Sequence, residues 1–157
     1  MGCGLCGIDS LAEALRPLPD VAEGTLMLAP ADAEAAMKGL TRHQALNDAT
    51  RAVHAAGFYV PGQGVVLARE DVGRHNALDK LAGAMARQGL RAGAGALVIT
   101  SRVSVDMIQK AAMIGAPVLM AASAPTALAI AEAEAAGITL VAVLRGADFE
   151  LFTHPER

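Results

Sequence analysis

The sequence predicts an α/β fold, a three-layer α/β/α sandwich around a mixed, mostly parallel sheet. Three observations predict it. The second half of the chain alternates short apolar runs with helical patterns, as βαβ units do. Two earlier apolar runs flank the turn Pro61-Gly62-Gln63-Gly64, which favours a hairpin within the sheet. Hydrophobic residues make up 54 % of the 157 residues and aromatic residues only 3 %, so aliphatic side chains and methionine must build the core.

The chain is expected to begin with a flexible lead-in over residues 1–30, followed by one α/β domain over residues 31–157. Within Ala31–Thr50 the apolar spacing predicts two helices. Their expected boundary residues are Asp32 as the first N-cap, Gly39 as the first end and Thr41 as the second N-cap.

The hairpin strands are predicted over Val53–Val60 and Gly64–Arg69. A polar loop at Glu70–His75 follows, and then an amphipathic helix over Asn76–Gln88 with Asn76 as its N-cap. Because functional residues gather on loops that a rigid sheet holds, this polar loop is a candidate site.

The remaining segments alternate between strand and helix. Buried strands are predicted over Ala96–Thr100, Pro117–Ala122 and Thr139–Leu144, with helices between them over Ser104–Met113 and Ala124–Ala136. In open α/β sheets, ligands bind outside the carboxyl ends of the strands, so we expect a ligand there. Three methionines are expected to fill the core rather than bind metal: Met107, Met113 and Met120.

The charge balance narrows the class of partner. Thirteen basic residues against sixteen acidic ones give a formal net charge of −3, which argues against general binding to nucleic acid or to an anionic membrane surface. No apolar run approaches the roughly 20 residues of a membrane span. The first residues lack the charged start and apolar stretch of an export signal, so the sequence predicts a cytoplasmic protein with free thiols.

The motif Cys3-Gly4-Leu5-Cys6-Gly7 places two thiols among glycines. Such a pair can share a metal, form a disulfide or pass a sulfur atom as a persulfide. Structural zinc usually needs four ligands, but there is no second cysteine pair and the four histidines are scattered, so we predict no metal site. A thioredoxin-like role needs a preceding strand, which the sequence does not predict.

Hydroxyl, guanidinium and amide groups follow the predicted strands at helix starts, where anions bind readily. Together they favour one phosphate-rich ligand. The residues are Arg74, His75, Asn76, Arg102, Ser104, Ser123, Thr126 and Arg145.

Read in order, these segments resemble the formate dehydrogenase accessory sulfurtransferase family, FdhD/NarQ. The run Arg69-Glu70-Asp71-Val72-Gly73-Arg74-His75-Asn76-Ala77-Leu78-Asp79-Lys80 is the most specific part of the resemblance. The CxxC motif and seven further segments also match: Val53-His54-Ala55-Ala56, Ser101-Arg102-Val103-Ser104, Lys110-Ala111, Gly115-Ala116-Pro117, Ser123-Ala124-Pro125-Thr126, Gly137-Ile138-Thr139-Leu140 and Leu144-Arg145-Gly146.

The resemblance implies a sulfurtransferase that takes sulfur from a cysteine desulfurase as a persulfide on Cys3, with Cys6 beside it. It implies delivery of that sulfur to the molybdenum bis(molybdopterin guanine dinucleotide) cofactor of formate dehydrogenase. GDP would mimic part of this bound substrate. It further implies a cytidine deaminase-like fold and a homodimer. The cofactor-binding segment maps to Val143, Leu144, Arg145, Gly146, Ala147 and Asp148, and the Asp148 carboxylate could accept hydrogen bonds from guanine.

Two features depart from the family pattern. Members carry roughly 100 residues ahead of the CxxC motif, the size of a folded unit. Two residues precede Cys3 here, so we expect a fragment or a short form. Thr50-Arg51-Ala52 stands where the family has Thr-Gly-Gly.

Two other functions remain in view. One is a non-catalytic chaperone that binds the guanine-nucleotide cofactor. The other is zinc-dependent deamination, which needs His-x-Glu followed by Pro-Cys-x-x-Cys. His54 is followed two positions later by Ala56, and the CxxC lies upstream, so the sequence argues against deamination.

Overall fold

A computed structural model describes residues 17–21 and 26–156. Cys3, Cys6 and most of the predicted lead-in lie outside the described residues. The described helices are α1 (Pro30–Thr41), α2 (Ala45–Thr50), α3 (Arg74–Gln88), α4 (Val105–Ile114) and α5 (Ala127–Ala135), with a 3-10 turn at Ala92–Ala94. The strands are β1 (His54–Val60), β2 (Gly64–Asp71), β3 (Ala96–Ile99), β4 (Val118–Ala121), β5 (Thr139–Arg145) and β6 (Asp148–Leu151).

The six strands form one mixed sheet in the order β2-β1-β3-β4-β5-β6. Strands β3, β4 and β5 are parallel, whereas the pairs β1–β2, β1–β3 and β5–β6 are antiparallel. The mixed α/β sheet is therefore confirmed. Most strands run in one direction, but antiparallel pairs outnumber parallel ones. One reason is that the chain reverses at Gly146 into β6, an exposed four-residue strand that the sequence pattern did not predict.

Each face of the sheet has its own core. Leu97 and Ile99 of β3 point to the side covered by α3, α4 and α5, whereas Val98 points to the side covered by α1. Every residue of β3 is buried, because helices cover both faces. The three-layer architecture is confirmed.

The methionines were expected in the core. Met107 and Met120 are buried there, as predicted. Met113 is 71 % exposed near the end of α4, so that prediction was wrong for this residue.

Helix α1 differs from its prediction at both ends. Its N-cap is Ala29, and Asp32 is the third residue of the helix. The Asp32 carboxylate accepts a hydrogen bond from the Ala29 amide at 2.7 Å, which is the half of a capping box that an alanine N-cap allows. Gly39 lies inside α1 rather than at its end, because α1 passes close to β2 there. A Cβ at position 39 would lie 2.7 Å from Cγ2 of Val65.

The predicted polar loop Glu70–His75 is mostly regular structure. Strand β2 continues to Asp71 and α3 begins at Arg74, so only two residues connect them. The N-cap of α3 is Gly73 rather than Asn76. Likewise, α2 follows Gln44 as its N-cap rather than Thr41.

Candidate functional site at the carboxyl ends of the strands

The carboxyl ends of β3, β4 and β5 meet the first turns of α4 and α5 at one edge of the sheet. The start of β1 joins them, because it is antiparallel to β3: the Ala55 amide donates to Oγ1 of Thr100 at 3.0 Å, and the Thr100 amide donates to the Ala55 carbonyl at 3.1 Å. The loops after β3 and β4 are joined by a parallel bridge between Val103 and Pro125. These contacts bring the start of β1 and the loops after β3 and β4 together at one edge of the sheet.

The two acidic residues of the polar run have structural partners. Glu70 accepts hydrogen bonds from the backbone amides of Leu46 and Asn47, both at 2.8 Å, and so caps the start of α2. Its carboxylate satisfies amide donors that a six-residue helix leaves open. This explains why α2 begins where it does.

Asp71 organises the turn into α3. It accepts hydrogen bonds from the Gly73 amide at 2.9 Å and from the side-chain amide of Asn76 at 3.1 Å, and it pairs with Lys80. The bond from Lys80, followed by those from Gly73 and Asn76, lowers the pKa of Asp71 to about 2. The amide nitrogen of Asn76 is thus engaged within the turn, although Asn76 was singled out as ligand-binding.

Arg74 and His75 behave differently from their acidic neighbours. Nε of Arg74 and Nε2 of His75 are buried and have no hydrogen-bond partner within the described part of the chain. Nδ1 of His75 lies 2.8 Å from Oδ2 of Asp106, which is close enough for an ion pair when the imidazole is protonated. The two atoms do not meet the angular criteria of a hydrogen bond. Asp106 is only 8 % exposed.

No local sequence pattern marks Asp106 as a site residue. Its position in the first turn of α4 looks like an ordinary helix-dipole acid. The one available signal was that it follows the candidate Ser104 by two positions. Its pairing with His75 depends on how α3 and α4 lie side by side, which no local pattern encodes.

Both histidines at this edge are shifted toward the neutral form. Burial lowers the pKa of His75, which Asp106 partly offsets, while Arg74 and Lys110 lower it further and Asp79 opposes them. Burial and the nearby Arg74 also lower the pKa of His54. Each imidazole is therefore biased toward its uncharged state in the ligand-free protein.

The hydroxyl groups at the helix starts are used unequally. Oγ1 of Thr126 accepts a hydrogen bond from the Ala129 amide at 3.2 Å and so caps α5. Ser104 is the N-cap of α4 by its backbone, but its Oγ makes no capping bond and is buried without a partner. Ser123 is half-buried and Arg102 is exposed at the same edge.

The segment Val143–Asp148 divides into a core part and an exposed part. Leu144 is 3 % exposed and belongs to the core beneath α1, so any ligand it touches meets its backbone. Arg145, Gly146, Ala147 and Asp148 form an exposed turn. Val143 has a φ of 56° within an irregular stretch of β5, an uncommon conformation for a β-branched residue.

Among residues 17–21 and 26–156, no group of three or more His, Cys, Asp or Glu side chains could hold a metal ion. The buried Ala56 stands where a deaminase would need its glutamate. No helix in the described ranges is long and apolar enough to cross a membrane.

Known proteins with similar sequences indicate one family. The FdhD/NarQ family model matches residues 1–157. The sulfur carrier protein FdhD of Agrobacterium fabrum is 56 % identical over 157 residues, which is 100 % of this chain and 58 % of that protein. The protein of the same name from Bordetella bronchiseptica is 49 % identical over 156 residues, 99 % of this chain and 56 % of that protein.

A crystal structure gives the same answer for the fold. A provisionally assigned formate dehydrogenase accessory protein from Desulfotalea psychrophila superposes with a TM-score of 0.78 at 33 % identity, over 90 % of this chain and 58 % of that one. The chain spans a little over half the length of these relatives. Over the part that they share, the chain belongs to the FdhD/NarQ family.

Proposed function

We propose that this chain is the cofactor-binding part of a sulfur carrier that serves formate dehydrogenase. Sulfur arrives from a cysteine desulfurase as a persulfide on Cys3 and is delivered to the molybdenum bis(molybdopterin guanine dinucleotide) cofactor, the bound substrate. Relatives named sulfur carrier protein FdhD support sulfur transfer. Action in the cytoplasm as a homodimer forms part of the same proposal.

One observation carries the binding half of the proposal. Buried donors of Arg74 and Ser104 lack partners at an edge that also holds the starts of α4 and α5. A buried donor without a partner costs about 1–3 kcal/mol, so a ligand rich in acceptors would stabilise this edge. The phosphates of a guanine dinucleotide supply such acceptors, and Arg102 and Arg145 add exposed positive charge.

The loading of sulfur onto Cys3 needs only thiol chemistry. The Cys3 thiolate attacks the outer sulfur of the desulfurase persulfide, a new S–S bond forms on Cys3, and the desulfurase cysteine leaves as a thiolate. The step requires no outside oxidant, because the persulfide supplies the oxidised sulfur. Flanking glycines favour an accessible thiol, as this exchange needs.

Mass spectrometry tests the sulfur step. After incubation with a cysteine desulfurase and cysteine, the peptide that contains Cys3 should gain the mass of one sulfur atom. The Cys3→Ser variant should not gain it, whereas Cys6→Ser should. Sulfur found only on Cys6 would reverse the two roles, and an unmodified peptide would refute persulfide transfer by this chain.

The second candidate is a binding module without sulfur transfer, since the groups described at this edge are hydrogen-bond donors and helix starts suited to binding an anion. It predicts that Cys3→Ala leaves formate dehydrogenase activation in cells unchanged. Calorimetry tests what both candidates share, because GDP should bind more tightly than ADP. Equal affinity for the two nucleotides, or no binding of either, would remove the guanine pocket.

A further inference from the structure

Five buried polar atoms at the first turns of α3 and α4 make no hydrogen bond in the described part of the chain. Two of them, Nδ1 of His75 and Oδ2 of Asp106, face each other at 2.8 Å as an ion pair. The other three are Nε of Arg74, Nε2 of His75 and Oγ of Ser104. Folded proteins satisfy most buried polar atoms, and an exception calls for an explanation. All three can donate hydrogen bonds, although Nε2 of His75 does so only when it carries a proton. Several buried donors without acceptors indicate a site for an oxyanion ligand, which would supply acceptor oxygens.

Asp106 fixes the state of the imidazole. Its Oδ2 faces Nδ1 of His75 at 2.8 Å, and Asp106 is itself more than nine-tenths buried. A carboxylate next to Nδ1 favours the tautomer with its proton on that nitrogen. In neutral His75, Nε2 therefore carries a lone pair, which would repel an anion. Protonation turns the same atom into a donor and leaves Asp106 to balance the new charge.

Charged groups on its own helix and on the neighbouring α4 act on the imidazole of His75. On α3 itself these are Arg74 and Asp79, and on α4 they are Asp106 and Lys110. Lys110 is already paired with Asp79 at 2.6 Å. From β2, Asp71 is paired with Lys80, and from β1, His54 lies within electrostatic reach of Arg74. Asp106 is thus the acid in direct contact with the imidazole.

We propose that Arg74, His75 and Ser104 form a proton-linked oxyanion site, in which His75 takes up a proton when a phosphate-like group binds. Asp106 is the positioning residue that holds Nδ1 while Nε2 donates to the anion. The proposal rests on the proposed function only for its natural ligand, which would be a phosphate of the nucleotide cofactor. It adds that the protonation state of His75 controls whether that ligand binds or dissociates.

The sign of the linkage follows from the two protonation states. Neutral His75 offers no donor at Nε2, so the anion binds the protonated form more tightly and raises the pKa of His75 in the complex. Affinity is then full below the pKa of the free protein and falls as pH rises through the higher pKa of the complex. Each unit of difference between the two pKa values changes the affinity about tenfold.

Proton NMR of the histidine rings provides the test. Sulfate is the first probe, because it stays doubly charged across the range in which histidine titrates. The chain has four histidines, and His75→Gln assigns the resonance of His75. His154→Gln is the matched control, because His154 lies at the start of β5, away from the edge of the sheet where that strand ends. There the His154 carbonyl accepts a hydrogen bond from the Thr139 hydroxyl. Sodium chloride at equal ionic strength controls for screening.

We expect saturating sulfate to raise the pKa of His75 by about one unit, which corresponds to a roughly tenfold fall in sulfate affinity at high pH. GDP should act likewise and guanosine should not. In Asp106→Asn the pKa of free His75 should be lower, and the sulfate-induced rise should shrink. In His75→Gln, calorimetry should find sulfate affinity independent of pH. A rise with GDP alone would identify the nucleotide phosphates as the source of the anion.

An unchanged pKa of His75 with both sulfate and GDP would overturn the proposal, as would an equal rise with sodium chloride or guanosine. These outcomes are separate from the proposed function. A rise in pKa together with failed loading of Cys3 refutes sulfur transfer alone. Loading of Cys3 without any rise refutes the oxyanion site alone.

Discussion

The Asp106 carboxylate lies 2.8 Å from Nδ1 of His75 and joins the first turn of α4 to the first turn of α3. Each partner is mostly buried, with 10 % and 17 % of the respective side chains exposed. Because burial lowers the pKa of His75, folding favours its neutral form despite the nearby acid. This balance between burial and charge has consequences for stability as well as for binding.

The first prediction concerns acid stability. The folded-state pKa values of His54 and His75 lie below that of an unfolded chain, so their contribution is present above the unfolded pKa and is lost as pH falls. We expect the free energy of unfolding, measured in urea without added oxyanions, to fall between pH 7 and 5. The variant His75→Gln should flatten this dependence. A flat profile in the parent protein would contradict the shift.

The second prediction concerns the hydrogen bond that Tyr59 donates to Asp32, which fixes the start of α1 to β1. Burial, the bond and the charge of Asp32 raise the pKa of Tyr59 to about 12. Tyr59 is the single tyrosine and the chain has no tryptophan, so its ultraviolet titration is unambiguous. Asp32→Asn should lower this pKa, because the charge is removed while an acceptor remains.

Tyr59→Phe should reduce the free energy of unfolding by about 1.5–3 kcal/mol, because the bond is to a charged acceptor. Urea unfolding measures the change. A loss below the error of that measurement would mean that the bond contributes little to holding α1 on the sheet.

The third prediction uses two glycines separated by one residue. A Cβ on Gly95 would lie 2.1 Å from the Tyr59 carbonyl oxygen, a backbone atom of the neighbouring strand. Gly95→Ala should therefore destabilise the fold by about 3 kcal/mol or more. Gly93→Ala is the matched control, since nothing lies within 4 Å of its added Cβ, and it should be neutral or slightly stabilising. Thermal unfolding of both variants decides, and equal effects would contradict the close approach.

The fourth prediction concerns the cap that Glu70 provides for α2. Glu70→Ala should expose the amides of Leu46 and Asn47, and their hydrogen exchange should accelerate. The loss should be about 0.5–2 kcal/mol, as for other N-cap removals. Glu150→Ala on the exposed strand β6 is the control and should leave this exchange unchanged.

The sequence predicted what local patterns encode. The apolar runs of β3, β4 and β5, the hairpin turn and the start of α4 at Ser104 all follow from neighbouring residues. The run from Glu70 to Asn76 was recognised as special, but its residues could not be sorted into structural and ligand-facing ones. That division depends on partners from distant segments: Leu46 and Asn47 for Glu70, and Asp106 for His75.

Strand β6 was missed for a related reason. It has four residues, two of them acidic, and a mostly exposed surface, so it lacks the apolar run that marks a central strand. Its pairing with β5 is instead supported by hydrogen bonds between Thr153, which follows β6, and the residues at the start of β5. The hydroxyl of Thr153 donates to the Ile138 carbonyl at 2.6 Å and accepts from the Leu140 amide at 2.9 Å.

The bridge between Val103 and Pro125 limits how this edge can be re-engineered. The Val103 amide donates to the Ala124 carbonyl and the Thr126 amide donates to the Val103 carbonyl, so the two connections share one set of backbone bonds. An insertion into either connection would break bonds of the other and shift two helix starts together. Loop grafting aimed at a new ligand should therefore replace both connections as a single cassette, or be directed to the exposed turn at Gly146.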